Sequence, residues 1–507
     1  MVYRYIFAVL AGVFAAMSIS MLHKRETDPV QILPGYREGK DIRNPSILVD
    51  HHMWHLVFIF ITLTMLKKTR ESTLRLFWTT IMEYLVVISI YCLLLLLLLP
   101  VLRRTISSRV CGRLWEVPIL MASVLLYLET IKTSWYAQLP KVVIYLPETI
   151  LMAFTAVWLL GFIVSIFWYV YNHFRFKKRL RQNARPVSKE VLCIWSEELA
   201  KVGMDQTTPL SFTSDLQTPL VVGVRKKALE AYLPDKDYTA EELHLIFQHE
   251  LRHVFRRDAE IKLAWAVIRS LLWFNPLVWV ATQKAAEDLE LSCDEFVLKE
   301  ADETTRRRYA ELLLDAAGDG RGFSTCLSSK AKTLRYRLKC VVKPGKRLTG
   351  SLVLAVLVFA FVLSCGAISF ADEKGALNDF YDLGGYTEIT NSLSFGRGIG
   401  TYQGAQDRTL IEYLAGLPVL RLTKPFELDR MDKAAVGYEL YDPIQDHNLW
   451  VFLQDDLLAV ARYGSSTQYY KVVGGLDWDY VKTLHKKKNS TKMGTVLLVR
   501  MKGLEPP

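Results

Sequence analysis

The run Thr239-Ala-Glu-Glu-Leu-His-Leu-Ile-Phe-Gln-His-Glu-Leu-Arg-His-Val-Phe-Arg-Arg-Asp258 decides how the middle of this chain folds. Thr239 with Glu242 three residues on is a capping-box pair, so a helix starts there and continues through the run. His249 and His253 stand at i and i+4 and share one helical face. Their imidazole nitrogens can reach a single zinc ion at about 2.0–2.1 Å. Glu250 lies beside His249. Zinc brings the pKa of a bound water down towards about 7, and a neighbouring carboxylate can then take its proton and later return it to a leaving amine. On its own His-Glu-x-x-His is a weak sign, because a helix with two ordinary surface histidines produces the same pattern.

A catalytic zinc site needs three protein ligands and an open position. The next helix-like stretch with carboxylates is Ala285-Ala-Glu-Asp-Leu-Glu-Leu-Ser-Cys-Asp-Glu-Phe-Val-Leu298. Glu290 and Asp294 are i and i+4 on it, so both can face one site. One can ligate zinc while the other orients a ligating histidine, and spacing does not say which does which. Cys293 beside them reads as a small buried residue rather than a ligand. His244 lies more than one turn before the histidine pair and reads as outside the site. Arg256 and Arg257 are placed to hold nearby carboxylates. Arg306-Arg-Arg308 reads as a basic helix face.

Three blocks now stand in order: His249 to Asp258, Trp273-Phe-Asn-Pro-Leu-Val-Trp279, and Leu289 to Leu298. Together they resemble the M56 membrane zinc metallopeptidases, the family of the β-lactam sensor-transducers BlaR and MecR. Tyr309-Ala310 with Leu313 and Leu314 looks like the helix that follows in that family, and the resemblance covers about residues 82–370. It implies that His249, His253 and Glu290 bind Zn2+, that Glu250 is the catalytic acid and base, and that Asp294 supports the ligands from behind. It also implies a gluzincin-type α+β fold, with the active-site helix beside a small sheet. Ser211–Ser214 and Leu220–Val224 read as strands of that sheet, and the latter could offer its edge to an extended substrate.

The rest of the chain is organised by the membrane. Half of its 507 residues are hydrophobic, gathered in long runs, and the net charge is +11. Lys and Arg next to spanning helices explain that charge, and direct binding to nucleic acid is not expected. A span needs about 20 mostly apolar residues. Leu76–Val101, Leu146–Tyr171 and Leu348–Ala371 reach that length. Leu114–Leu128 is short and contains Glu116, and Trp54–Leu66 is shorter still. Ile6–Leu22 reads as an anchor helix, because His23-Lys24-Arg25 after it lacks a small-residue cleavage pattern. Trp265–Val280 reads either as a re-entrant element or as a core hairpin.

Basic flanks at His173–Arg181 and Lys343–Arg347, against Asp372-Glu373, place residues 172–347 in the cytoplasm and 372–507 outside. Arg103–Arg113 is basic and also belongs inside. Lys67-Lys-Thr-Arg70 is basic too, yet one helix separates the two loops, so both cannot be inside if Leu76–Val101 crosses once. The expected organisation is therefore N-terminal membrane segments over 1–75, a transmembrane helix bundle over 76–171, a zinc protease domain over 172–347, a helix over 348–371, and an extracytoplasmic α+β sensor over 372–507.

The seven cysteines form no C-x-x-C pair, and none lies after Cys365. Val362-Leu-Ser-Cys365 before Gly366 has the form of a lipid-attachment box but is internal, and a helix cysteine near the membrane surface explains it. In the outer segment Tyr386–Phe395, Ala435–Tyr441, Leu449–Gln454, Leu458–Tyr463, Tyr469–Val473 and Thr495–Met501 read as strands. Asp407–Leu417 and Asp477–Lys487 read as short helices. No serine after Ala371 has lysine three positions on, so the penicillin-binding sensor of the β-lactam receptors is not expected, and the extracellular ligand is left open.

The function expected is a multi-pass membrane endopeptidase that passes an extracellular signal to a cytoplasmic protein substrate. The resemblance makes that substrate a transcriptional repressor, of winged-helix type, cleaved after self-cleavage. Alternatives are a membrane quality-control protease and a receptor that kept the fold without turnover. The intact Glu250 argues against the receptor.

Overall fold

In the computed structural model the described residues are 70–119, 142–223, 229–256, 258–299, 301–317, 334–341, 368–395, 408–422, 435–462 and 467–485, with isolated positions at 9, 13 and 17 and within 352–359. Of the sequence expectations, Trp54–Leu66, Thr495–Met501, Arg257 and Val362–Cys365 lie outside them, as do most of Ile6–Leu22 and of Leu114–Leu128.

Two described helices are long and apolar enough to cross a membrane: α1 (Arg70–Thr105) and, after a short helix α2 (Ser108–Leu114) and a strand β1 (Val142–Ile144), α3 (Glu148–Gln182). α1 outruns the apolar stretch that announces it at both ends and α3 at its C-terminal end, because polar turns continue the same hydrogen-bond ladder there. Only 11% of the apolar window of α3 is buried against the protein. Its exposed face carries Val157, Leu160, Phe167 and Trp168, a surface suited to lipid rather than water.

Polar side chains that would be orphaned in an apolar medium bond between elements. Trp78 Nε1 donates to Thr155 Oγ1 (2.9 Å), and Trp158 Nε1 to the Leu271 carbonyl (2.9 Å).

The protease region follows α3. A four-stranded sheet has the order β2 (Arg185–Pro186), β3 (Leu210–Thr213), β5 (Glu230–Pro234), β4 (Leu220–Val222), with β3 and β5 parallel and the other pairs antiparallel. Expected strands at 211–214 and 220–224 are found within a residue or two. β2 and β5 were not expected, since neither shows a period-two pattern. Against the sheet lie α4 (Lys189–Lys201) and α5 (Ala240–Arg256), whose Leu243, Ile246, Phe247 and Leu251 share a core with Trp195, Leu199, Leu210 and Leu233. The capping box at the head of α5 is formed: Thr239 N donates to Glu242 Oε2 (2.8 Å) and Glu242 N to Thr239 Oγ1 (3.3 Å).

Beyond α5, α6 (Asp258–Leu271) and α7 (Pro276–Val297) form a hairpin, and α8 (Glu303–Ala317) packs back on α5. Asn275 caps α7 by accepting from Leu277 N (3.0 Å), and its amide reaches Ser89 Oγ (2.8 Å), midway along α1. Ser270 meets Ser165 (3.1 Å). The tip of the hairpin thus packs between α1 and α3, level with their apolar stretches, and its Trp265, Ile268, Leu272 and Val278 share one core with α1.

The C-terminal domain is α+β, as expected. Its eight-stranded sheet has the order β1, β6 (Ile368–Ala376), β8 (Pro418–Leu422), β12 (Gln468–Val472), β11 (Leu457–Arg462), β10 (His447–Gln454), β9 (Ala435–Asp442), β7 (Glu388–Phe395). Only the β1–β6 pair is parallel. The helices α9 (Leu377–Tyr381) and α10 (Arg408–Gly416) close one face over Leu414, Tyr438, Val451 and Val460, and α11 (Trp478–His485) lies beyond β12.

One boundary is corrected. The apolar run expected to stay helical to Ala371 has helical residues between 352 and 359 but is strand from Ile368. Here Ile368-Ser-Phe pairs with Val142-Val-Ile, and backbone groups that a helix would satisfy within itself are satisfied by that strand. β6 also grips the first turns of α1. Arg75 Nη1 donates to the carbonyls of Ala371 (2.6 Å) and Leu146 (3.1 Å), and Phe370 N donates to Thr79 Oγ1 (3.0 Å). At its other end α1 reaches α7, so α1 and α3 both run from the C-terminal sheet to the protease region.

Candidate metal centre

α5 and α7 bring His249, His253 and Glu290 together. His249 Nε2 and His253 Nε2 lie 3.2 Å apart. Glu290 places Oε2 3.4 Å from the first and Oε1 3.5 Å from the second. Four ligands placed tetrahedrally at about 2.0–2.1 Å from a centre stand about 3.3–3.4 Å from one another. The two nitrogens sit close to that spacing from one another, and each has a Glu290 oxygen at nearly the same distance.

The far side of each imidazole fixes its tautomer. His253 Nδ1 meets Asp258 Oδ2 at 2.6 Å, and His249 Nδ1 meets the Tyr309 hydroxyl at 2.8 Å. That hydroxyl donates to Asp294 Oδ1 (2.7 Å) and so accepts from His249 Nδ1–H. With Nδ1 of each ring turned to a partner behind it, both Nε2 atoms and a carboxylate converge on one point, and that N, N, O donor set suits zinc.

A wider frame holds this arrangement. Arg337, in the helical residues 334–341, binds Asp294 through Nε and Nη2 at 2.7 Å each, and its Nη1 stands 3.7 Å from Glu290 Oε2. Arg256 binds Asp258 through Nε (2.8 Å), also reaches Ser292 Oγ, and donates to the Leu289 carbonyl (3.1 Å). Cys293 is buried, with Sγ 3.5 Å from His253 Nδ1. His253, Asp258 and Cys293 also lie close enough for a metal. Asp258 is already bound by Arg256 and by His253 Nδ1, so that trio orients His253 rather than forming a second centre.

Charges respond to this crowding. Burial pushes the Glu250 carboxyl above the usual carboxylate range, with the Glu290 charge adding to it. Burial also opposes ionisation of Glu290, but the two histidines and Arg337 outweigh it and hold that carboxyl well below its ordinary range. Burial would lower His253, yet Cys293, Glu290 and Asp258 leave it well above its ordinary value. Asp258 is lowered against its own burial by Arg256 and His253.

Sequence reasoning put His249, His253 and Glu290 in one cluster and left Glu290 and Asp294 to share two roles. In the structure Glu290 faces the Nε2 atoms, and Asp294 faces the back of His249, mainly through Tyr309. His244 is elsewhere, its Nδ1 2.6 Å from Glu198. Arg306 donates to the carbonyls of Ala301 and Leu298 at the end of α7, and Arg308 pairs with Glu241. Asp258, Tyr309 and Arg337 were missed as members of the site. The acidic residue five positions after His253 was the one available signal.

Residues 137–341 match the family model described as BlaR1 peptidase M56. That stretch is an M56 peptidase region of the BlaR/MecR type. The regulatory protein BlaR1 of Bacillus licheniformis is 29% identical over 222 residues, covering 43% of this chain and 36% of that protein. The methicillin resistance mecR1 protein of Staphylococcus aureus is 30% identical over 108 residues, covering 21% of this chain and 18% of that protein. The matched stretch thus spans about a third or less of these relatives' own length. The matched family region contains β1, α3, the four-stranded sheet and every residue of the metal centre, and it stops before the C-terminal domain. The cluster of His249, His253 and Glu290, close enough to hold a metal ion, thus falls inside the region that the peptidase family model matches.

Proposed function

We propose that this chain is a membrane-embedded zinc endopeptidase that transduces an extracellular signal by cleaving a cytoplasmic protein. The observation that carries the reading is the convergence of His249 Nε2 and His253 Nε2, 3.2 Å apart, on the two Glu290 carboxylate oxygens, Oε2 at 3.4 Å from the first and Oε1 at 3.5 Å from the second. His249, His253 and Glu290 would hold the ion. Zinc supplies Lewis acidity, polarising a peptide carbonyl and making water a stronger acid. Glu250 takes the proton from the attacking water and delivers it to the leaving amine. Its half-buried carboxyl, pushed up in pKa, suits a group that must both accept and donate. Asp258 and Tyr309 keep each imidazole in the tautomer that leaves Nε2 free.

Sidedness rests on charge. Lys177, Lys178, Arg179 and Arg181 crowd the protease end of α3, which supports a cytoplasmic protease and a C-terminal domain outside, in contact with an extracellular ligand. The target, by likeness to regulatory relatives, is a repressor of winged-helix type, cleaved after self-cleavage. The β-lactam receptors' nucleophilic serine motif is missing from this chain's outer segment, so a covalently bound β-lactam is not the ligand expected there.

Replacing Glu250 with glutamine tests the chemistry. The variant should keep zinc and lose about 10²- to 10⁴-fold in cleavage rate, measured as self-cleavage or as cleavage of a co-expressed repressor. Equal cleavage by both proteins would remove Glu250 from the mechanism, and wild type without zinc would support a receptor that has lost turnover.

A further inference from the structure

The helix that carries Glu290 is held from two sides. One side faces the histidines of α5. The other lies against the elbow where α1 ends and α2 begins. Arg103, in the last turn of α1, places Nε 2.7 Å from Asp288 Oδ1 and Nη2 3.2 Å from Glu287 Oε2. Trp115 Nε1 takes the other Asp288 oxygen (2.6 Å), and Asp288 is wholly buried. Ser108 N donates to Glu295 Oε2 (2.7 Å), and Gly112 lies against the Asp288 backbone, where a Cβ would meet the carbonyl oxygen at 3.6 Å. Every one of these contacts falls on residues 287–295 of α7, the stretch that presents Glu290 and Asp294 to the metal.

Arg103 has a second hold. Its carbonyl accepts from the Tyr336 hydroxyl (2.9 Å), and its guanidinium lies 5.6 Å from the Tyr336 ring centroid. The next residue, Arg337, is the one that grips Asp294 and stands beside Glu290. Some 24 residues back along α1, about 36 Å for a straight helix, Thr79 and Arg75 are bonded to β6 of the C-terminal domain. One continuous helix therefore touches the C-terminal sheet at one end and both flanks of the metal carboxylate at the other.

The geometry points to Arg103 as a positioning residue for Glu290, through which α1 couples the C-terminal domain to the metal centre. The inference rests on the zinc reading above and adds the route by which that site is regulated. A shift of α1 along its axis moves Asp288 and Glu287 with Arg103. Glu290 is two residues further on and rides with them, while the histidines stay fixed in the α5 core. The quantity that changes is the fit of the third ligand, hence metal affinity.

The test uses full-length protein in detergent or nanodiscs and reads the zinc dissociation constant by chelator competition. Arg103→Ala should weaken zinc by roughly 2- to 30-fold, the range for coupling residues that touch neither site. Arg103→Lys, which keeps the charge but not the fork, should recover part of it. Thr79→Val, at the far end of α1, should shift zinc affinity in the wild-type background and not in Arg103→Ala, because sites coupled through one element are non-additive. Wild-type affinity in Arg103→Ala, or a Thr79→Val shift that persists undiminished beside it, overturns the coupling. If Arg103→Ala does not fold, because Asp288 is left buried without its cation, Arg103→Lys and Thr79→Val decide: wild-type affinity in both overturns it. A wild-type chain that binds zinc no better than His249→Ala sinks the metal reading itself, which is a different result.

Discussion

At the scale of single residues the metal centre is a set of converging acceptors held by donors behind them. Tyr309 is the least obvious member. Its hydroxyl passes the Asp294 charge to His249 Nδ1, so Tyr309→Phe should leave His249 free to rotate and to change tautomer. Zinc affinity should fall by about 10- to 100-fold, while thermal stability with a chelator present changes far less. Unchanged affinity would mean that the direct 3.5 Å approach of Asp294 to His249 Nδ1 suffices. The histidine pair was legible in the sequence because both residues sit on one helix, where spacing fixes direction. Glu290 was readable as one of two candidates, since i and i+4 bring both carboxylates to one side without saying which is nearer. Tyr309 and Arg337 come from other helices. Their part depends on how α8 and the helical residues 334–341 pack, and no local pattern encodes that.

At the scale of elements the close fits are between helices that are distant in sequence. Gly161 of α3 lies so near the Trp273 indole that a Cβ there would overlap the ring. Gly161→Val should force the hairpin of α6 and α7 away from α3 and cost about 1–3 kcal/mol, read as a lower unfolding midpoint in detergent. A wild-type midpoint would mean that the hairpin tip does not lodge there. The foot of α3 is tied to the four-stranded sheet through Glu230, which bonds Arg181, Lys177 (3.2 Å) and Tyr232 (2.9 Å). The Arg181 hydrogen bond leads in holding this carboxyl down, from its ordinary 4.5 to about 2. A carboxyl lowered in the folded state stabilises above its unfolded pKa and loses that contribution as pH falls through the folded one. The midpoint difference between wild type and Glu230→Gln should therefore be steady above pH 4.5 and shrink as pH falls towards 2. A difference independent of pH would show that the ion pair is not its source. The strand at 449–454 was readable, with Leu449, Val451 and Leu453 buried in alternation. β5 was not, because four of its five residues are buried and its faces do not alternate. Nor was β1, whose partner lies more than two hundred residues away.

At the scale of the whole molecule two long helices run between two domains, and the proposed sidedness of those domains is argued from charge. The basic group Lys67 to Arg70 argued for one orientation of α1, and Arg103 to Arg113 for the other. The structure adds that Arg75 is drawn into the C-terminal sheet, within 4.0 Å of Asp372 and bonded to two carbonyls. A cation with such partners there is an anchor between α1 and β6 rather than a free topogenic charge. Sidedness can be read by labelling with a membrane-impermeant thiol reagent. Cys193 is exposed on α4 of the protease region, and Ile444, 87% exposed, lies in the turn between β9 and β10. In intact cells Ile444→Cys should react and Cys193 should not; after permeabilisation both should. Reaction of Cys193 in intact cells with Ile444→Cys protected would turn the molecule over, put the metal centre outside and exclude a cytoplasmic substrate. Reaction of both in intact cells would place the two domains on one side, which α1 and α3 could satisfy only by lying along the bilayer instead of through it.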